Sequence, residues 1–313
     1  MAALRESAKT AVGQCASLQP GESCLVVTDE ERRPIGEAIR SAAEAVTEMT
    51  AIVEYPPGET HGSEPPAPVA AAMAGADVVF APTTKSLTHT RARTGATDAG
   101  ARVATLPGIT EEVFTVGLQA DYEAIAEHCV DVLEQIGDEQ TLRVTTDAGT
   151  DVTFDLGDRS FLSDTGIIHD PGTVTNLPAG EVFVSPTSAD GTVVVDGTMR
   201  PHGLLEGRSI RLEFEDGLVT EIDDDALRST VEGAEEEVGE AARNVAELGI
   251  GTNVGVTELI GSVLLDEKAA GTIHVAIGDD AGIGGDVDAP IHLDGIVRDP
   301  TVFAGDREIT LPG

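Results

Sequence analysis

The sequence predicts an α/β N-terminal domain with a parallel sheet over residues 1–137, followed by a β-rich α+β domain over residues 138–313. In the first part, short apolar runs alternate with amphipathic stretches, which is typical of βαβ units. In the second part, runs of alternating apolar and polar residues flank turn sequences such as Asp147-Ala148-Gly149 and Asp216-Gly217. These turns are typical of antiparallel hairpins.

Helices and strands alternate in the predicted first domain. Apolar residues recur at helical spacing up to Leu18, where Gln19-Pro20-Gly21 ends the opening helix. An amphipathic helix over residues 121–136 closes the domain. Between them, the apolar runs predict buried strands at 24–28, 51–54, 77–80 and 102–106.

Strands dominate the predicted second domain. A long helix is expected from Asp225 to Glu247, and a shorter helix from Thr257 to Asp266. The remaining segments predict strands at 142–146, 151–156, 182–185, 193–195, 209–214 and 218–222.

The charge of the chain is strongly acidic. It carries 56 Asp and Glu against 19 Lys and Arg, a formal net charge of −37, and the acids are spread over its whole length. Such a surface repels itself unless salt screens it. We therefore expect a folded cytoplasmic protein of a halophile that accumulates salt. The charge disfavours direct binding to nucleic acid or to an anionic membrane.

The sequence predicts neither a redox-active cysteine pair nor a targeting or membrane-spanning segment. Cys15, Cys24 and Cys129 lie far apart in apolar stretches, so structural thiols are expected. Nothing at the start resembles a signal peptide, and no apolar run approaches the 18 residues typical of a membrane span.

Carboxylates and histidines in the second domain suggest a metal site. His292 and Asp294 would point to the same face of a strand, as a two-ligand pair does. Glu181 follows a Pro- and Gly-containing turn, and His274 lies in an apolar, strand-like run. Glu247 is expected at the C-terminal end of a helix, where the dipole disfavours an anion unless a cation lies beside it.

Each of these signals has an ordinary alternative. Glu181 taken alone fits a solvated acid at a strand edge, and His274 fits a hydrogen-bonded core histidine. Together they favour a metal centre. Neutral imidazoles with carboxylates suit Zn, Co, Mn or Fe(II) better than Mg or Ca.

Two further histidines are candidates for contact with substrate. His89 lies near the predicted end of a first-domain strand, where loops of α/β folds often bind ligands, although a surface or helix-capping role also fits. His169 lies in a loop of the second domain that contains Pro and Gly.

Four segments in this order resemble the thermophilic aminopeptidase T/aminopeptidase S metallopeptidase family. They read NLPAGEVF at 176–183, AELGIGTN at 246–253, DEKAAGTIHVAIG at 266–278 and HLD at 292–294. The resemblance implies a homodimeric aminopeptidase that removes N-terminal residues from small peptides. It also implies two divalent ions, Zn, Co or Mn, held by Glu181, Glu247, His274, His292 and Asp294.

The implied hydrolysis needs two kinds of carboxylate. Ligand carboxylates hold two ions that activate a water molecule, and a further carboxylate, Glu247 or Glu267, transfers the proton to the leaving amine. Three acids and two neutral imidazoles carry about three negative charges, which suits two divalent ions better than one. The chain departs from the family's peptidases at Asp279-Asp280-Ala281-Gly282, where they carry a tyrosine.

The chain is also similar to the 2,5-dihydroxypyridine 5,6-dioxygenases. That resemblance implies one Fe(II), held by His274, His292, Asp294 and Glu181, and cleavage of a dihydroxylated ring by O2. A binding protein that has kept the fold without catalysis is a third possibility, because a fold does not fix a function.

Overall fold

A computed structural model describes residues 2–313. The chain forms two compact units. The first runs up to Ala126 and also includes Asp164–Ala179, and the second comprises Glu127–Ser163 and Gly180–Gly313. This division differs from the single predicted boundary at 137/138. The reason is that residues 174–176 return to the first unit and pair in parallel with its sheet.

The helices and strands are numbered in chain order. The α-helices are α1 Ala2–Thr10, α2 Arg33–Glu44, α3 Ala67–Ala74, α4 Arg91–Asp98, α5 Glu111–Gly117, α6 Tyr122–Ile136, α7 Asp225–Val238 and α8 Val263–Asp266. The strands are β1 Cys24–Thr28, β2 Thr50–Glu54, β3 Val78–Thr83, β4 Arg102–Pro107, β5 Thr141–Thr145, β6 Asp151–Asp155, β7 Leu162–Asp164, β8 Val174–Asn176, β9 Glu181–Val184, β10 Ser188–Val195, β11 Thr198–Met199, β12 Gly203–Leu204, β13 Ile210–Glu215, β14 Leu218–Ile222, β15 Val245–Gly251, β16 Ile273–Gly278, β17 His292–Val297, β18 Thr301–Ala304 and β19 Arg307–Ile309.

The first unit is built on a parallel sheet of five strands. Their order is β2-β1-β3-β4-β8, and β1 lies between β2 and β3. Strands β1 and β3 are buried along their whole length, which explains their continuous apolar sequences. The predicted α/β domain with a parallel sheet is confirmed.

The second unit contains two sheets of seven strands each. One has the order β14-β13-β10-β6-β5-β18-β19, and its neighbouring strands are antiparallel. Strands β5 and β6 form the hairpin predicted around Asp147-Ala148-Gly149. The other sheet has the order β12-β11-β17-β16-β15-β9-β7 and carries the candidate ligands. The predicted β-rich domain is therefore confirmed.

The predicted helix from Asp225 to Glu247 is wrong in its second half. Helix α7 ends at Val238, and Gly239 then adopts a left-handed φ of +68°. After a short 3-10 turn, the chain enters β15, whose seven residues are all buried. Glu247 therefore lies within a central strand, and the predicted conflict with a helix dipole does not arise.

The predicted helix from Thr257 to Asp266 is also mostly absent. Only the last four residues form α8. The preceding segment is a turn in which the buried Asp266 carboxylate accepts hydrogen bonds from the backbone N–H groups of Ile260 and Gly261, at 3.0 and 2.8 Å. These side-chain bonds replace the backbone bonds that a helix would have made.

The sequence predicted structural thiols and no membrane-spanning segment. The three cysteines are buried, and none forms a disulfide. Among residues 2–313, no helix combines the length and the apolar character needed to cross a bilayer.

Candidate metal centre

Four adjacent strands of one sheet bring the five predicted ligands together. Glu181 begins β9, Glu247 lies in β15, His274 lies in β16, and His292 and Asp294 lie at the start of β17. These strands are neighbours in the order β17-β16-β15-β9. The side chains therefore converge within the second unit, although they are up to 113 positions apart in sequence.

A glycine on β15 makes room for one of the imidazoles. Gly249 is paired with His274 across the sheet. A Cβ atom at Gly249 would lie 2.0 Å from the imidazole Nε2 and Cε1 atoms, which is far inside van der Waals contact. Glycine at this position therefore leaves room for the His274 ring beside the neighbouring strand.

The first group of possible ligands is buried and consists of Glu181, Glu247 and His274. The Nε2 atom of His274 lies 3.0 Å from Glu247 Oε1 and 3.6 Å from Glu181 Oε2. One donor atom from each residue lies within 4.8 Å of the others. That spacing allows all three to bind one ion.

The second group consists of Glu247, His292 and Asp294. The Nε2 atom of His292 lies 3.3 Å from Glu247 Oε2 and 3.3 Å from Asp294 Oδ1. Glu247 belongs to both groups and presents a different oxygen to each imidazole. A carboxylate placed in this way can bridge two ions.

In both imidazole rings, Nε2 faces the carboxylates and the other nitrogen, Nδ1, contacts a backbone carbonyl that fixes the ring. His274 Nδ1 lies 3.1 Å from the carbonyl oxygen of Glu267, and His292 Nδ1 lies 2.7 Å from that of Asp279. Because a carbonyl oxygen only accepts hydrogen bonds, Nδ1 must carry the proton in both rings. Each Nε2 then has a lone pair that faces carboxylates, which requires a second proton or a metal cation between them.

The surrounding charges make the cluster attractive to cations. Burial lowers the pKa of His274, but the hydrogen bond to Glu247 and the charges of Glu247, Glu181 and Asp294 outweigh it and raise the pKa to about 9. Burial likewise opposes charge on His292, and Asp294 and Glu247 raise its pKa well above the usual range. A divalent ion can take the place of these protons.

A buried lysine, Lys268, completes the cluster. Its side chain is 2% exposed, and its Nζ atom donates to Glu181 Oε1 at 2.9 Å and to Glu267 Oε1 at 2.5 Å. We did not predict this residue from the sequence. The available signal was its place beside Glu267 in a chain with only three lysines.

The donor set passes a direct test of its fit to a metal. The second oxygen of Glu181, Oε2, is buried and has no hydrogen-bond partner within residues 2–313. Burial raises the pKa of Glu181 to about 7, although the charge of Lys268 opposes this shift. An unsatisfied carboxylate oxygen beside the Nε2 atom of His274 suits a divalent ion that accepts both oxygen and nitrogen ligands.

Protein stripped of metal by a chelator is expected to lose stability as the pH rises from 6.5 to about 9. The pKa of His274 is about 9 in the fold and 6.5 ordinarily, so the folded state retains a proton that the unfolded chain releases. This contribution is complete below pH 6.5 and is lost as the pH rises through 9. Denaturant unfolding in molar KCl measures it.

Saturating zinc provides the control for this pH dependence. Bound metal replaces the imidazole proton, so zinc affinity should rise over the same pH range, and the stability of the loaded protein should not fall as that of the stripped protein does. A stripped protein whose stability increases towards pH 9 would contradict the assignment of His274 to the cluster.

The other predicted site residues lie elsewhere or carry different contacts. His89 is exposed in the turn before α4, and the exposed His169 ring contacts the backbone oxygen of Gln14 through Nε2 at 2.7 Å; both lie in the first unit. Their contact with substrate stays a prediction. Glu267 lies beside the cluster and belongs to neither ligand group.

Comparison with known proteins identifies relatives along the whole chain. The family model of NicX, 2,5-dihydroxypyridine 5,6-dioxygenase, matches residues 4–313. The 2,5-dihydroxypyridine 5,6-dioxygenase of Pseudomonas putida is 25% identical over 190 residues, which cover 56% of this chain and 53% of that protein. The match thus spans about half the length of this relative.

Two solved structures share the fold. The 2,5-dihydroxypyridine dioxygenase of Pseudomonas putida KT2440 superposes with a TM-score of 0.79 at 20% identity, covering 98% of this chain and 95% of that one. AmpT from Thermus thermophilus superposes with a TM-score of 0.68 at 18% identity, covering 96% and 94%. The chain therefore shares its fold with this dioxygenase and with AmpT, and the family match shows that it belongs to the 2,5-dihydroxypyridine 5,6-dioxygenase family.

Proposed function

We propose that the chain is a metal-dependent hydrolase of the aminopeptidase type, in which Glu247 would help to hold two divalent ions. The observation that carries the proposal is the position of this one carboxylate. Its Oε1 atom lies 3.0 Å from His274 Nε2, and its Oε2 atom lies 3.3 Å from His292 Nε2. Each oxygen thus faces the imidazole of a different ligand group, and Glu247 belongs to both groups.

The residues of the cluster have distinct tasks in this proposal. Glu181 and His274 complete the inner group, which is fully buried, and His292 and Asp294 complete the outer group. A bound pair of divalent ions would supply Lewis-acid polarisation of a carbonyl group and an activated water molecule. The protein supplies fixed ring orientations through the two Nδ1–H groups, so little reorganisation is needed on metal binding.

The charge of the cluster is consistent with two ions. Besides the ligand carboxylates of Glu181, Glu247 and Asp294, the cluster includes the partly buried Glu267 and the buried ammonium of Lys268. With neutral imidazoles, four carboxylates and one ammonium carry three negative charges. Two divalent ions would leave one positive charge, which favours the developing negative charge of an acyl-transfer transition state.

Glu267 is the residue that we propose as general base. Glu247 is less suited to this task because both of its oxygens contact imidazoles. Burial raises the pKa of Glu267, an effect that Lys268 opposes. A carboxyl group with a raised pKa can accept a proton from water and pass it to the leaving amine at neutral pH.

The proposed substrate is a small peptide or a similar molecule with a free amino group. The strongly acidic chain favours a cationic amine over an anionic partner such as nucleic acid. A homodimer and a salt-rich cytoplasm remain predictions for this protein.

A second function, ring cleavage by a mononuclear Fe(II) oxygenase, is favoured by the family match over residues 4–313. His274 and His292 with Asp294 offer two imidazoles and one carboxylate, the ligand set of such oxygenases. The absence of a tyrosine in the segment after His274 also favours it over a peptidase. However, Glu247 lies between the two imidazoles, and would have to withdraw before they could share one ion.

Elemental analysis combined with two activity assays distinguishes these functions. For the protein purified in molar KCl, we expect about two Zn, Co or Mn per chain, and release of an aminoacyl reporter without oxygen uptake. One iron per chain with oxygen uptake on 2,5-dihydroxypyridine would contradict the hydrolase and support the oxygenase.

Two histidine variants provide the internal comparison. His292→Ala should lose the outer ion and the activity. His202→Ala is the matched control, because His202 lies in the same unit and bonds Asp224 at 2.8 Å, away from the cluster. It should retain the metal content of the wild type.

A further inference from the structure

We propose that Asp280 is a positioning residue that orients His292 towards the outer metal ion. The proposal rests on the metal-binding role of His292 proposed above. Asp280 lies in the loop that connects β16, which carries His274, to β17, which carries His292. Asp280 is not itself a metal ligand in this proposal. It acts on His292 through the backbone of its neighbour, Asp279.

The carboxylate of Asp280 is buried, with 1% of the residue exposed, and is surrounded by donors. Its Oδ2 atom accepts hydrogen bonds from Ser185 Oγ at 2.7 Å and Asn244 Nδ2 at 3.2 Å, and Arg159 Nη1 lies at 3.4 Å. Its Oδ1 atom accepts from the backbone N–H of Val287 at 2.7 Å. A buried carboxylate with this many donors holds its surroundings in one arrangement.

The connection folds back around this carboxylate. The backbone N–H of Asp280 donates to the carbonyl of Val287 at 3.0 Å, and the N–H of Gly285 donates to the carbonyl of Asp280 at 3.0 Å. A Cβ atom at Gly285 would lie 1.9 Å from the carboxyl carbon of Asp280. Only glycine therefore lets the chain pass so close to the Asp280 side chain.

Asp279 transmits this arrangement to the metal ligand. Its carbonyl oxygen lies 2.7 Å from His292 Nδ1, and its N–H donates to the carbonyl of Ile291 at 2.7 Å. The side chain of His292 is 33% exposed, whereas that of His274 is 1% exposed within β16. Packing therefore fixes His274, while His292 depends more on the hydrogen bond from its Nδ1 atom.

The same network reaches the strands of the other ligands. Ser185 directly follows β9, which begins with Glu181, and Asn244 directly precedes β15, which contains Glu247. Arg159 also donates to the carbonyl of Pro186, at 2.9 Å. Asp280 thus ties the connection that orients His292 to both neighbouring ligand strands.

Asp280→Asn, compared with Asp286→Asn, tests the proposal. Asp286 lies in the same connection with a side chain that is 99% exposed and 3.8 Å from Arg159, so its replacement should change little. We expect Asp280→Asn to bind the outer ion about 10- to 100-fold more weakly, as loss of such supporting contacts generally does. The inner ion should be retained, so the zinc stoichiometry falls from two towards one under a competing chelator.

Nitrogen-15 NMR of the imidazole rings supplies a readout that a general loss of stability would not move. In the zinc-loaded wild type, the hydrogen bond to the Asp279 carbonyl should protect the Nδ1 proton of His292 from exchange with solvent. In zinc-loaded Asp280→Asn, this proton should exchange faster, while the Nδ1 proton of His274 is unchanged. Ser185→Ala removes the 2.7 Å hydrogen bond to Asp280 and the contact of Arg159 with the same hydroxyl, and it should give the same changes to a smaller extent. If Asp280→Asn does not fold, Ser185→Ala provides the test in its place.

Unchanged outer-site affinity and unchanged exchange of the His292 Nδ1 proton in both variants would overturn the role of Asp280. The wild-type stoichiometry tests the proposed function separately. If the wild-type chain binds only one ion, the two-ion hydrolase fails, and the exchange of the His292 Nδ1 proton still reports on Asp280.

Discussion

Glu247→Gln should remove both metal ions, and with them all metal-dependent activity. The amide keeps the size of the carboxylate and one acceptor oxygen, but it loses the negative charge that faces both imidazoles at 3.0 and 3.3 Å. Each remaining group would have one imidazole and one carboxylate, Glu181 with His274 and Asp294 with His292. Elemental analysis after gel filtration in molar KCl should therefore give less than about 0.2 ion per chain, against about two for the wild type.

Comparison with two other variants shows whether Glu247 is shared. Glu181→Gln should lose mainly the inner ion, because Glu181 belongs to that group alone. Glu215→Gln changes an exposed acid on β13 and should retain both ions. If Glu247→Gln loses no more metal than Glu181→Gln, Glu247 does not bridge two sites.

Lys268→Met should destabilise the metal-stripped protein by about 3–5 kcal/mol, the usual effect of removing one partner from a buried ion pair. The ammonium is 2% exposed and bonds the carboxylates of Glu181 and Glu267. Without it, the buried carboxylate of Glu181 and the partly buried carboxylate of Glu267 lose their shared ammonium partner. Urea unfolding in molar KCl with a chelator measures the change in free energy.

The loss should be larger near pH 8 than near pH 5. Burial raises the pKa of Glu181 to about 7 even with Lys268 present, so protonation at low pH relieves the uncompensated charge. Lys9→Met is the matched control, because Lys9 forms an exposed pair with Glu6 at 2.8 Å and such pairs contribute little. Equal effects of the two substitutions would contradict the structural importance of the buried ammonium.

The alternation of apolar runs was enough to predict the parallel sheet and the hairpins, because each depends on neighbouring segments. Strands β1 and β3 have continuous apolar sequences and are buried on both faces. The return of β8 to the first unit was not predictable in this way. Its pairing with β4 joins residues about 70 positions apart and leaves no local pattern.

The error at Glu247 has a specific physical cause. The segment from Asp225 to Glu247 is rich in Ala and Glu, which favour helices, and its pattern continues beyond the end of α7. The left-handed Gly239 interrupts it, and pairing of β15 with both β9 and β16 then outweighs helix propensity. This misplaced element nevertheless contained the residue that links the two ligand groups.

The sequence allowed us to predict which ligand residues lie together, but not the buried ammonium that neutralises part of their charge. His292 and Asp294 follow from the two-residue period of a strand, and the structure places His292 Nε2 3.3 Å from Asp294 Oδ1. Lys268 was missed because a lysine beside a glutamate resembles a surface pair in a charged chain. Its burial depends on the three-dimensional packing around Glu181, which no local pattern encodes.

Anomalous diffraction from crystals of the zinc-loaded protein, recorded at the zinc absorption edge, tests the two-ion centre most directly. We predict two peaks per chain, one among Glu181, Glu247 and His274 and the other among Glu247, His292 and Asp294. A single peak shared by His274, His292 and Asp294, with Glu247 turned away, would contradict the two-ion hydrolase and favour a mononuclear centre.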